Sequence, residues 1–215
     1  EKLKIPATLF LNPSILSNQT LLWRDKIRYI ITQNIKDDFI SHLKKSKNSA
    51  KYNFEMLKNM TFHEWSKHPN AIKDMSIQED LEQFFINNHI SSSKIANEFN
   101  LFISHKHLAK KAYLNYSNHT WSHPLMTLLN CHGQKKEILK THEFLLEQGF
   151  SPNALSMPFS PYNEDTIKIC KEIGYECILT VESRSNLISH QNNEFLILHR
   201  RMAPTSLNLF KKILN

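Results

Sequence analysis

Two histidines four residues apart, His119 and His123, stand in the stretch Asn118-His119-Thr120-Trp121-Ser122-His123-Pro124. Imidazoles can share a divalent cation when the backbone turns both rings to one side. With 12 histidines in 215 residues, about 0.6 pairs at this spacing would arise by chance, so context must carry the reading. Pro124 supplies part of that context, because a residue before proline is pushed out of the right-handed helical region. His123 is therefore a boundary residue, and the pair is not of the helical HExxH kind. The pattern predicts a strand ending near Tyr116, a loop carrying both rings, and a helix started by Pro124 through Leu125, Leu128 and Leu129. The rings then project from the C-terminal rim of a strand, where an ion can be held with positions open to water and substrate. The alternative is a pair of structural histidines that stabilise a loop.

The elements that must position this loop follow from periodicity. Ile5-Pro6-Ala7-Thr8-Leu9-Phe10-Leu11-Asn12-Pro13 reads as a short buried strand, central in a sheet. From about Thr20 to Lys111 the spacing is helical: Leu22, Trp23, Ile27, Ile30 and Ile31, then Leu81, Phe84, Phe85, Ile95 and Phe102. The polar, lysine-rich middle, Ser41 to Asn59, predicts a mobile centre, and Thr61-Phe62-His63-Glu64 resembles a capping box. From Tyr113 the texture becomes α/β. Amphipathic helices are predicted for Gln134–Gln148 and Asn163–Ile173, with Gly174 as C-cap, strands for Tyr175–Val181 and Phe195–Leu198, and a last helix for Leu207–Leu214. Alternating strands and helices imply a parallel sheet or barrel, whose sites lie at the carboxyl ends of the strands.

Composition narrows the field. Three glycines (Gly133, Gly149, Gly174) cannot build a phosphate-cradling loop of the Walker or dinucleotide type. Cys131, Cys170 and Cys177 lack CxxC spacing and read as reduced core thiols. No apolar run reaches the roughly 18 residues a membrane span needs. The net charge of +7 is read as a solvated lysine-rich face, since no aromatic residues interleave its basic clusters as a single-strand nucleic-acid platform requires. His105 and His107 alternate like strand residues and read as surface groups. The sequence starts at Glu1 without methionine or a basic-then-apolar leader, which implies a removed segment or a start inside a longer protein.

Asn118 to Pro124 resembles the histidine motif of the polysaccharide deacetylases, carbohydrate esterases with a NodB-homology domain. Further blocks fall in order. Lys4-Ile5-Pro6-Ala7-Thr8-Leu9-Phe10 is similar to that family's second strand, and Gly149-Phe150 to a turn ending its next helix. Ser156-Met157-Pro158-Phe159-Ser160-Pro161-Tyr162-Asn163 resembles its proline-aromatic loop, with a helix ending in Ile173-Gly174-Tyr175 after it. Leu196-Ile197-Leu198-His199 resembles its leucine-histidine strand, unless an arginine-containing strand is the counterpart, in which case Arg200 matches and His199 is incidental.

The resemblance implies a distorted (β/α) barrel, one domain over residues 1–215 that lacks its first strand, with a helical insertion at about 20–111. It implies a divalent metal, zinc in most members, on His119 and His123, with His199 as candidate general acid and Phe159 and Tyr162 on the substrate side. The implied reaction is hydrolysis of N-acetyl groups from an N-acetylhexosamine-containing glycan, with an N-acetylated polysaccharide or oligosaccharide as partner and a bacterial envelope or periplasmic setting. Two departures are plain. The family's paired aspartates, third metal ligand and base, fall just upstream of Glu1, and Asp37-Asp38 in a helical, lysine-flanked stretch is no substitute. Ser156 stands where many members carry an arginine. The rival is a catalytically inactive glycan-binding or scaffold domain of the same fold. The insertion is expected to shape glycan access, so that its deletion alters substrate preference more than metal affinity.

Overall fold

The computed structural model describes residues 4–59, 61, 64, 75–182, 186 and 195–200. Strands β1 (Ala7–Leu11), β2 (Leu114–Asn118), β3 (Ala154–Ser156), β4 (Cys177–Thr180) and β5 (Leu196–His199) form one sheet in chain order, with every pairing parallel. Neighbouring parallel strands laid down in sequence order need crossovers that return over the same face, the winding of a (β/α) barrel wall. The fold is α/β, as the alternation after Tyr113 implies.

Among the described residues, five α-helices lie between β1 and β2: α1 (Trp23–Thr32), α2 (Lys36–Lys45), α3 (Phe54–Asn59), α4 (Ile77–Asn87) and α5 (Ser92–Glu98). They close on their own core of Trp23, Ile27, Ile30, Phe39, Leu43, Leu57, Ile77, Leu81, Phe84 and Phe85, among others. Full burial of each such side chain contributes about 1.5–3 kcal/mol, so helices of ten or so residues that would be marginal alone are held by packing. The polar stretch 41–59 belongs to this body. Its Leu43 and Leu57 are fully buried, and buried Asp80 accepts from Tyr52 Oη and, at 3.2 Å, from Asn48 Nδ2. The stretch expected to be a mobile centre thus contributes Leu43, Tyr52 and Leu57 to this core.

A second core lies between the sheet and helices α6 (Cys131–Glu147) and α7 (Glu164–Glu172), built from Ile138, Leu155, Met157, Ile169, Cys170, Tyr175 and Ile178. Asn130 caps α6 by accepting from the Gly133 amide at 2.9 Å. A capping box between Asn163 and Thr166 starts α7. That helix ends where Gly174, at φ 81°, lets the Tyr175 amide reach the Cys170 carbonyl at 2.9 Å.

Several expectations change. The strand at the histidine motif runs on to Asn118. Pro124 starts no helix: a 3-10 turn at Met126–Leu128 intervenes, and α6 begins at Cys131 because the cap is Asn130. β1 lies at the sheet edge, not its centre. Its only described partner is β2, which leaves Leu9 47% exposed. Cys131 is exposed, Cys177 half-buried and only Cys170 buried, all three free. Thr61 and Glu64 do make the reciprocal bonds of a capping box, whereas Phe62, His63 and Leu207–Leu214 lie outside the described residues. His105 and His107 sit in a 3-10 turn, not a strand. Among the described residues no helix is long and apolar enough to cross a membrane.

Candidate active site

The residue after each strand from β2 to β5 enters one cleft. His119 follows β2, Met157 follows β3, Val181 follows β4 and Arg200 follows β5; Arg24, His123, Leu125, Thr127, Leu128, Phe159 and Pro161 complete a lining around about 530 Å³. The site is thus where a parallel α/β sheet puts it, at the carboxyl ends of its strands. The corresponding residue after β1, Asn12, donates its side-chain amide to the carbonyls of His119 and Thr120, at 2.5 and 3.0 Å.

The loop from His119 to Pro124 is strained and heavily held. Thr120 (φ 66°) and His123 (φ 57°) both take left-handed backbone, unfavourable for side chains with a Cβ by roughly 1–2 kcal/mol each. The Thr120 amide donates to Asn118 Oδ1 at 2.7 Å, and the His123 amide to Thr120 Oγ1 at 3.2 Å. The Trp23 indole N–H donates to the His123 carbonyl at 2.9 Å. Glu137 accepts from the Ser122 amide and hydroxyl, both at 2.8 Å, and burial raises its carboxyl above the usual range against those bonds. Strain so over-determined is a mark of a functional position.

The two imidazoles meet with ring centres 4.8 Å apart and planes at 80°. His119 Nδ1 lies 2.6 Å from the Ser156 carbonyl. A carbonyl only accepts, so Nδ1 carries the proton and Nε2 keeps its lone pair, the orientation given to metal-binding histidines by an outer hydrogen bond. His123 Nδ1 is buried without a partner. Burial lowers the pKa of both rings. His123 falls to about 3, pushed the same way by His119 and then Arg24, while His119 is lowered despite the Ser156 bond and further by Arg200. Both are neutral at pH 7, the form that ligates a cation. An orphaned buried nitrogen beside an oriented second imidazole fits a metal. No group of three His, Cys, Asp or Glu converges among the described residues, so these two are a partial set.

The other sequence candidates separate. Phe159 is in the cleft, its ring 4.9 Å from that of His123 and 6.1 Å from that of Trp23. Tyr162 packs against the sheet core instead. His199 stands opposite Thr180 in the β4–β5 register, on the face shared with Ile178 that meets α6 and α7. Its Nδ1 lies 2.9 Å from Thr180 Oγ1 and 3.8 Å from Glu182, and Arg200 is the one of the two that lines the cleft. The Arg200 Nη2 donates to the Met157 carbonyl at 3.1 Å. Ser156 points no arginine into the site but supplies the carbonyl that orients His119. Asp37 and Asp38 are exposed in the first turn of α2, where the helix dipole favours them.

Sequence reasoning missed Trp23, Arg24 and Glu137. For Glu137 a signal existed: it shares the helical face of Gln134, Ile138, Thr141 and Leu145, the buried side of α6. Trp23 and Arg24 reach the cleft only through tertiary packing.

Comparisons with known proteins bear on the same region. The model of the family described as polysaccharide deacetylase matches residues 83–178. No curated protein matches the chain. Among solved structures, a family 4 carbohydrate esterase from Streptomyces lividans in complex with acetate is 21% identical at TM-score 0.30, over 32% of this chain and 36% of that one. A Streptococcus pyogenes deacetylase in complex with acetate is 24% identical at TM-score 0.38, over 46% and 44%. A Bacillus anthracis protein provisionally assigned to the polysaccharide deacetylases is 12% identical at TM-score 0.40, over 91% and 62%. The chain therefore spans between about a third and three fifths of the length of these proteins. The match to the polysaccharide deacetylase family covers residues 83–178, the stretch that carries the histidine loop, α6, β3 and α7.

Proposed function

We propose that the protein hydrolyses N-acetyl groups of an N-acetylhexosamine-containing glycan, with His119 and His123 holding a divalent metal, zinc foremost. The carrying observation is the pair of neutral, desolvated imidazoles 4.8 Å apart at the end of β2. A cation bound there would supply Lewis acidity toward the acetyl carbonyl and toward water. The chain's own residues do the rest. Ser156 fixes the tautomer and direction of His119, Trp23 and Thr120 fix His123, and Leu125, Leu128, Met157 and Phe159 exclude bulk water from one side of the cleft. A third ligand and a general base would come from a segment upstream of Glu1. The outer edge of β1, unpaired among the described residues, has the geometry to receive a further parallel strand.

The inactive glycan-binding reading is favoured by one observation, that no carboxylate lines the cleft among the described residues. The two are separated by metal content and zinc affinity of the purified protein, measured beside a His119→Ala, His123→Ala double variant. Stoichiometric metal that the variant loses, followed by acetate release from acetylated chitooligosaccharides once the upstream segment is present, is the expected result. Failure to take up metal even with that segment would replace the enzyme with the scaffold.

A further inference from the structure

A second cavity, apart from the histidine cleft, is built wholly from the segment between β1 and β2. The turn after β1 and the stretch from α5 to His107 enclose about 510 Å³, within the range of small-molecule sites. Asn18, Asn97, Asn100 and Ser104 supply neutral amides and a hydroxyl, and Leu101 and Ile103 supply apolar surface. Among the described residues no Asp, Glu, Lys or Arg lines it. Leu101 and Ile103 are 47% and 50% exposed, so their apolar surface is open and not spent on a core.

The two walls are tied to each other. The Ser17 amide donates to the Ile103 carbonyl at 2.9 Å, the His105 amide to Ser17 Oγ at 3.1 Å, and the Phe102 amide to Asn18 Oδ1 at 2.8 Å. The last bond fixes which way the Asn18 amide faces. Asn18 is only 7% exposed, and its Nδ2 has no hydrogen-bond partner among the described residues, yet it is not sealed off as His123 Nδ1 is. What accessibility it keeps opens on this cavity. A nearly buried donor left unspent is costly unless a partner arrives.

A pyranose is the complement of such a lining. Each of its hydroxyls donates and accepts, as neutral amides do, while the C–H faces of the ring pack on apolar side chains. An ionic ligand would meet no carboxylate, ammonium or guanidinium there and would lose its hydration without return. The cavity also lies near the chemistry. The Ser14 amide donates to the Trp121 carbonyl of the histidine loop at 3.4 Å, and Asn18 is the fourth residue after Ser14, so at most about 14 Å of chain separates the two. One oligosaccharide can therefore reach both.

We infer that this cavity is a separate sugar-binding site, which holds a neutral sugar unit of the glycan whose acetyl group enters the histidine cleft; the inference rests on the glycan reading of the protein for its ligand class. The test is calorimetric binding of tetra-N-acetylchitotetraose to the whole chain. Asn18→Asp keeps the oxygen that accepts from Phe102 and loses the Nδ2 donor, and it should weaken binding about tenfold, the scale of one hydrogen bond to a buried group. Leu101→Ser, on the open wall, should weaken it about threefold. Ile86→Ser removes an apolar residue equally exposed on α4, outside the cavity, and should leave affinity unchanged. No binding, an affinity unchanged by either cavity substitution, or a loss that Ile86→Ser reproduces would each overturn the inference. Should Asn18→Asp not fold, an unchanged affinity in Leu101→Ser overturns it equally. Acetate release separates this site from the function it rests on. Binding that depends on Asn18 with no acetate released, zinc and the upstream segment being present, sinks the deacetylase and spares the site; acetate release with binding indifferent to Asn18→Asp does the reverse.

Discussion

His119 and His123 are four residues apart, yet different halves of the molecule hold them. The sheet fixes His119: its amide donates to the Leu11 carbonyl at 3.0 Å, Asn12 holds its carbonyl, and Ser156 orients its ring. Beyond that point the helical region joins in alongside Glu137 of α6 and the loop's own Thr120. Trp23 binds the His123 carbonyl, Gln78 reaches Ser122 Oγ at 3.3 Å, and the Leu125 amide points at the Met75 sulfur at 3.4 Å. One candidate ligand is thus built into the wall of the fold, and the other depends on a body of helices with a core of its own. The helical region is consequently more than a modifier of access. Its removal should loosen His123 and lower metal affinity as well as alter substrate preference, which revises the expectation drawn from its length and position.

Truncating one fully buried residue in each core tests how separate the halves are. Ile27→Ala in α1 and Ile138→Ala in α6 each remove a side chain with 0% exposure, and each should cost about 2–5 kcal/mol. In calorimetry a single transition lowered by both variants would mean that the halves fold together; two transitions, each lowered by its own variant, would sharpen the division.

Acid should attack the seam between them. The folded-state pKa of His123 is depressed to about 3 from 6.5, so below pH 6.5 the unfolded chain binds the proton that the folded chain refuses. Stability is therefore whole above that pH and declines as pH falls toward 3, by about 2 kcal/mol from this group at pH 5. Urea titrations of chelator-treated protein at pH 7 and pH 5 check it, and a midpoint unchanged between them would contradict the burial of the ring.

The smallest expected effect is the most discriminating. Trp23→Phe keeps the aromatic wall and removes the indole N–H, at a cost of about 1 kcal/mol, and zinc affinity should fall about tenfold, as when an outer-shell support is lost. Ser156 acts through its backbone, so Ser156→Ala should leave zinc affinity where it was. If both substitutions act alike, the two histidines are not held separately.

Much of the α/β half was legible because its signals are local. Asn163 with Thr166 and the positive φ at Gly174 bound α7 at the places the sequence marks, and His119 and His123 stand out through Pro124. The edge position of β1 was not legible, since a short apolar run reads the same in the middle of a sheet and at its rim. Neither was the division between His199 and Arg200. The two are neighbours at the end of β5, and only the tertiary structure shows that Arg200, not His199, lines the cleft.

The sequence by itself determined the α/β alternation, most of the helices and the histidine pair, because helical period and caps act over a few residues of chain. The tertiary structure alone decided that α1 reaches the histidine loop, that Trp23 holds His123, and that Arg24 and Arg200 share its cleft. Those contacts join residues about a hundred positions apart, and their geometry depends on how two separately packed cores meet, which no local pattern encodes.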